Sequence, residues 1–409
     1  MDRPTSRLAE LPPWATMDAS RDVLAALGGN ARFAGGCVRD ALVRQAPADL
    51  DLATPLPPDA VIASLAAAGI KAIPTGIAHG TVTAVCRGRS YEITTLRRDV
   101  STDGRHATVA FTDDWRADAA RRDFTINAMS LGPDGALYDY FGGRDDLEAG
   151  RVRFVGDPET RIREDVLRLL RFFRFHARYA TGACDAAGLA ACRALAHLLP
   201  GLSAERVRGE LFRLLAGPRA AATLATMRDA GALAHWLPEA GETAALARLE
   251  TIVAETGAAP SPVRALAVLI PAGTAATVAH RLRLSNAEAA RLKALAAPAA
   301  RLDPRGDETA RRAAFYRLGD DPSEHVLVAW AKAADPAGHA ALFAAAAAWV
   351  RPRFPLDGAD ARAAGIEPGP AMGAWLRRCE AAWVAFGAHE TGPALLSRIA
   401  ADEGQHQGN

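Results

Sequence analysis

The chain has 409 residues, half of them hydrophobic and 23% charged, with a formal net charge of +1. That length exceeds one ordinary hydrophobic core, so two or more domains are expected. No apolar run is long enough to span a bilayer, the first residues lack a signal peptide's apolar core, and the near-neutral balance alone gives no support for nucleic-acid binding.

In chain order, a short strand over 32–34 runs into Gly35-Gly36, a helix over 37–44 follows, and a second strand covers 49–53. That strand carries Asp49 and Asp51. Strand side chains alternate, so both carboxylates leave one face while Leu50 and Leu52 point into a core. Two neighbouring carboxylates repel unless a cation sits between them, and Mg²⁺ is held by one or two carboxylates plus substrate phosphates. Gly35 and Gly36 let backbone N–H groups approach a phosphate at the helix start. Singly, each piece is commonplace. In this order, with Arg39 one turn into the helix, they point to nucleotidyl transfer with Asp49 and Asp51 as its catalytic pair.

A helix is expected over 58–68, then strands over 81–87 and 90–96 joined by a tight turn at Gly88-Arg89. Glu92 sits between apolar neighbours on the second of these. It is either a third catalytic carboxylate, activating the attacking hydroxyl, or a half-exposed strand residue paired to an arginine. Residues 97–118 form a long polar stretch, apart from a strand over 108–111, and read as a mobile flap. A helix over 115–129 contains Arg121-Arg122-Asp123-Phe124-Thr125-Ile126-Asn127-Ala128. Its apolar members can pack while Arg122, Asp123 and Asn127 face a polar ligand, arginine toward phosphate oxygens and Asp or Asn toward a ribose hydroxyl. A last strand covers 136–140. The whole reads as a compact mixed α/β domain.

After residue 158 the strand signals vanish, and alanine- and leucine-rich amphipathic helices follow, broken by Gly and Pro. Lysine occurs only at 71, 293 and 332, so the basic residues are nearly all arginine; residues 151–180 hold eight arginines against four acids. That local excess suits phosphate or RNA. A helix over 161–179 carries Asp165 and Arg168, three apart and so neighbours on its surface. As a simple ion pair they would contribute roughly 0.3 kcal/mol. Alternatively, they present one acceptor and one fork of donors to a base. Adenine and cytosine offer an amino donor beside a ring-nitrogen acceptor, whereas guanine and uracil offer a carbonyl beside a ring N–H. Such a pair accepts A and C and mismatches G and U, without a nucleic-acid template. Arg174 falls on nearly the opposite helix face, so Arg171 and Arg174 need long, bent arms or a triphosphate or RNA target. The interleaved phenylalanines read as core. Five cysteines, at 37, 86, 184, 192 and 379, include no Cys-x-x-Cys, which argues against zinc or a disulfide framework and fits a reducing, cytoplasmic setting.

The glycine pair with Arg39-Asp40, Asp49-Leu50-Asp51, the octet at 121–128, Glu164-Asp165-x-x-Arg168, and Ser203-Ala-Glu205-Arg206-Val-Arg208-Gly-Glu210 together resemble, in order and spacing, the class II tRNA nucleotidyltransferase/poly(A) polymerase family. The resemblance covers about residues 31–215. It implies an α+β chain: a lead segment 1–25, a polymerase-β-type nucleotidyltransferase head 26–146, a helical neck 147–215, a body 216–345 and a tail 346–409. It further implies that Gly36 and Arg39 contact the incoming triphosphate, Asp49 and Asp51 hold Mg²⁺, and Arg122 binds the nucleotide. Asp165 and Arg168 would read the base, with Arg171 and Arg174 assisting. The implied partners are tRNA, CTP and ATP, with no membrane. The implied product is CCA at the tRNA 3′ end, a long flap leaning that way, with poly(A) or partial addition as the alternative. A silent RNA-binding scaffold is a third reading. No His-Asp dipeptide occurs, so no attached metal-dependent phosphohydrolase is expected.

Overall fold

The structure, a computed structural model, describes residues 3–103, 106–297 and 302–406. The chain divides into two compact units, Met1–Pro238 and Glu239–Asn409. The strands of the first unit are β1 (Ser6–Arg7), β2 (Arg32–Ala34), β3 (Asp51–Thr54), β4 (Lys71–Gly76), β5 (Thr81–Cys86), β6 (Arg89–Thr95), β7 (Arg97–Asp103), β8 (His106–Phe111), β9 (Met129–Leu131) and β10 (Ala136–Asp139). Its helices are α1 (Pro13–Thr16), α2 (Asp18–Ala26), α3 (Gly36–Leu42), α4 (Pro58–Ala67), α5 (Trp115–Ala120), α6 (Gly143–Glu148), α7 (Pro158–Glu164), α8 (Leu167–Tyr179), α9 (Ala186–Leu195), α10 (Ala204–Leu215) and α11 (Ala220–Asp229).

Eight strands make one mixed sheet in the order β1-β10-β9-β2-β3-β6-β5-β4. Its neighbours run antiparallel except β3 and β6, which are parallel and place Asp51 opposite Glu92. Val82, Ala84, Tyr91 and Ile93 are buried on the side covered by α2 and α4, where Tyr91 Oη lies 3.0 Å from Ser20 Oγ. Alternation sends Glu92 and Thr94 to the other side. The mixed head and the helical remainder thus match the expected fold class.

Several local expectations are corrected. The turn between β5 and β6 is Arg87-Gly88, one residue earlier than read, because Cys86 pairs with Arg89. Both turn residues have positive φ (48° and 76°), as the twist of a two-residue hairpin requires. The polar stretch is paired over 97–103 and 106–111: β7 and β8 form a separate antiparallel ribbon, and Gly104 and Arg105 lie outside the described residues. The helix expected over 115–129 ends at Ala120. Phe124 is extended and bridges to Phe154, and β9 then fills the place between β2 and β10, so the sheet's pairing overrides the helical pattern. The helix expected over 161–179 is two helices, broken at Asp165 (φ −148°, ψ 105°).

The core joining head to neck is aromatic. Phe124 lies 4.9 Å from Phe154 and 5.2 Å from Phe175 between ring centroids, and Phe154 stacks on Phe172 at 5.4 Å. These α8 phenylalanines are therefore core, as expected. The second unit contains no strand among its described residues. Its core includes Trp383 against Tyr316, and its buried Arg264 is paired with Glu324. No helix among the described residues is long and apolar enough to cross a membrane.

Candidate active site

A cavity of about 650 Å³ opens beside β3 and β6 in the first unit. Its lining includes Gly35, Gly36, Arg39, Asp51, Glu92, Arg122, Asp123, Asn127, Asp165, Arg168 and Arg171, so eleven of the thirteen expected site residues meet there. Asp49 and Arg174 do not line it.

Gly35 turns the chain from β2 into α3 at φ +72°, ψ −122°, and its N–H donates to the Met129 carbonyl at 3.1 Å. A Cβ at Gly35 would lie 2.6 Å from Arg122 Nη1. That guanidinium is aimed across the turn by Asn127 O (3.2 Å) and Asp118 Oδ2 (3.4 Å). Burial works to raise the Asp118 carboxyl, but Arg121 and Arg122 outweigh it and hold it below the usual carboxylate range. Gly35→Ala should therefore combine about 1–3 kcal/mol of backbone strain with displacement of Arg122. Turnover is expected to fall more than tenfold (~1.4 kcal/mol per decade) with little change in circular dichroism.

Asp51 opens β3 and is half-buried. Burial, then the charges of Glu92 and Asp49, push its carboxyl up to about 6, with Arg122 opposing. This repulsion is absent in acid, develops as pH rises toward about 6, and is fully in place at neutral pH. A cation between the carboxylates relieves it, and a proton competes with that cation below about 6. Asp49 is corrected in position: it lies in an exposed bend two residues before β3, not within it. It lines a different cavity of about 1250 Å³ with Trp14, Arg44 and Arg89, yet remains near enough for its charge to act on Asp51. Among the described residues no three His, Cys, Asp or Glu side chains form a ready cage for an ion. The donor set that is present, carboxylates facing a cavity rich in arginine, fits a hard ion whose shell substrate phosphates complete.

The base-reading candidates sit at the break between α7 and α8. Asp165 does not pair with Arg168. Its Oδ1 accepts from Leu167 N at 3.1 Å, and Arg206 Nη2 of α10 reaches both carboxylate oxygens at 2.9 and 2.8 Å. Arg168 is held by Glu164 Oε2 (2.5 Å), Arg161 O (3.0 Å) and Arg121 O (3.1 Å). Asp123 is buried, and Arg171 with Asn127 holds its carboxyl below the usual range despite that burial. Arg174, expected at the nucleotide or an RNA phosphate, turns instead to buried Glu210 (2.5 Å) and lies over Phe175.

Arg97, Arg121 and Arg206 line the cavity without having been singled out as site residues. Arg206 stood within a quoted motif, but nothing in the sequence ties it to Asp165, forty-one positions away.

Residues 31–153 match the family model described as the poly A polymerase head domain, and 185–242 match one described as a probable RNA and SrmB-binding site of polymerase A. The human protein named CCA tRNA nucleotidyltransferase 1, mitochondrial, is 37% identical over 378 residues, covering 90% of this chain and 86% of that protein. Its zebrafish counterpart is 48% identical over 203 residues, 49% of this chain and 47% of that protein. The Bacillus stearothermophilus CCA-adding enzyme in complex with CTP superposes with a TM-score of 0.71 at 26% identity, over 95% of this chain and 100% of that one.

Proposed function

The chain belongs to the CCA tRNA nucleotidyltransferase family, and from that premise we propose that it adds C, C and A to the tRNA 3′ end from CTP and ATP. The observation that carries this reading is a single cavity holding Asp51, Glu92, Arg39, Arg122, Asp165 and Arg168. The RNA 3′-hydroxyl attacks the nucleotide's α-phosphate in line, and pyrophosphate leaves. Asp51, with Asp49 beside it, would hold Mg²⁺. When bound, that ion stabilises the charge on the attacking and leaving oxygens. Glu92, in register with Asp51, takes the hydroxyl's proton.

Gly35, Gly36, Arg39 and Arg122 receive the triphosphate, where guanidinium forks match phosphate oxygens. Asp123, Asn127 and Arg171 form the wall beside it, and Arg174 supports that wall through Glu210. Asp165 accepts from, and Arg168 donates to, the pairing edge of cytosine or adenine. The β7–β8 ribbon serves as the flap. Helices beyond residue 216, divided into a body to 345 and a tail from 346, hold the acceptor arm by shape and backbone. Five free cysteines support a reduced, cytoplasmic setting.

The test uses tRNA lacking its CCA end, with CTP and ATP given separately and together, and sequences the products. CC from CTP alone and CCA from both are expected. A ladder of A from ATP alone would make the chain a poly(A) polymerase. No pyrophosphate release in Mg²⁺ would make it a silent RNA binder.

A further inference from the structure

Arg39 of α3 is held on two sides by one helix, α8. On the first side, its Nε and Nη2 donate to Asp40 Oδ1 at 3.0 and 2.8 Å, and the same oxygen accepts from the Tyr179 hydroxyl at 2.8 Å. The Tyr179 ring also lies against the guanidinium, with its centroid 4.4 Å from Arg39 Cζ. On the second side, Arg39 Nη1 donates to Asn127 Oδ1 at 2.5 Å, and Asn127 Nδ2 donates to Asp123 Oδ1 at 2.9 Å. Arg171 closes this chain onto Asp123 Oδ2 through Nε and Nη2, at 2.7 and 2.6 Å. Tyr179 and Arg171 both belong to α8, whose first turn brings Leu167 and Arg168 to the cavity.

Arg39 is only 8% exposed, and a guanidinium so buried is costly unless its donors are satisfied. The bonds above engage three of its five N–H groups and leave the others for a ligand. We infer that Tyr179 and Asp40 are positioning residues for the triphosphate: hydroxyl and ring at the end of α8 fix how far Arg39 reaches, without touching the nucleobase. This rests on the nucleotidyl transfer proposed above. The Tyr179 hydroxyl is suited to the task, since burial pushes its pKa to about 12 and it stays a donor at any working pH. The grip on the triphosphate and the choice of base then share one rigid helix, anchored at opposite ends.

Tyr179→Phe removes only the hydroxyl and keeps the ring against Arg39 and against Phe175 (5.8 Å). Losing one hydrogen bond to a charged group should raise KM about fivefold. The rise is expected to be equal for CTP and ATP, and the inhibition constant of pyrophosphate should rise by the same factor. Turnover should stay within about twofold of wild type, with unchanged melting temperature and unchanged preference over UTP and GTP. In an Asp40→Asn background the same change should add nothing. Unaltered pyrophosphate inhibition in Tyr179→Phe would overturn the inference, as would a KM change for one nucleotide alone, which would make the ring a base contact. Wild-type protein that incorporates neither nucleotide would fail the proposed function instead.

Discussion

Asp51→Asn is expected to cut incorporation of both CTP and ATP about a thousandfold while nucleotide binding partly survives. The proposed metal stabilisation contributes several kcal/mol to the transition state, and about 4 kcal/mol corresponds to roughly three decades of rate. The change is nearly isosteric, so packing is kept. It also removes a half-buried charge that repels Glu92 and Asp49; burial first, then those two charges, push the Asp51 carboxyl up to about 6. Above that pH the variant should therefore be as stable as wild type or more so, the signature of a site that trades stability for function. Single-turnover incorporation beside a thermal melt at pH 7.5 checks both halves. Normal turnover would remove Asp51 from catalysis. A collapsed melting temperature would make it a structural residue. Asp49→Ala should follow the same pattern, since its charge acts on the same carboxylate from outside the cavity.

The second large effect concerns the choice of base. Arg206→Leu removes the nitrogen that sits 2.9 and 2.8 Å from the two oxygens of Asp165, leaving the Leu167 N–H to hold that acceptor through one oxygen. Sites that hydrogen-bond a substrate's polar edge can discriminate by about 10⁴, and loosening one partner should forfeit about two of those decades, roughly 3 kcal/mol. The expected result is about a hundredfold rise in UTP and GTP misincorporation relative to CTP and ATP. Asp165→Asn should do the same, because an amide can turn a donor toward a carbonyl edge. Competition assays with all four nucleotides read both variants. Unchanged selectivity would reduce Asp165 and Arg206 to a tie between the α7–α8 break and α10.

Much of the site was legible in the sequence because it is local. The turn at Gly35-Gly36, Asp51 on its strand and the alternation that exposes Glu92 each follow from a few consecutive residues. What escaped depends on tertiary partners. The break at Asp165 lies in a run with good helical periodicity; the carboxylate leaves the helix to cap Leu167 and meet Arg206. The octet at 121–128 likewise reads as a helix, but Phe124 is drawn straight by Phe154. The pleat pattern places Asp49 on the strand but cannot show that pairing begins two residues later. The hold of Tyr179 on Asp40 spans 139 positions and leaves no local trace.

The ring cluster of Phe124, Phe154, Phe172 and Phe175 straddles residues 146/147, one ring before that point and three after it. Severing the polypeptide there would part Phe124 from its three partners and turn those apolar faces toward water on both fragments. The mixed sheet and the helix over 167–179 are then expected to melt together, in a single transition.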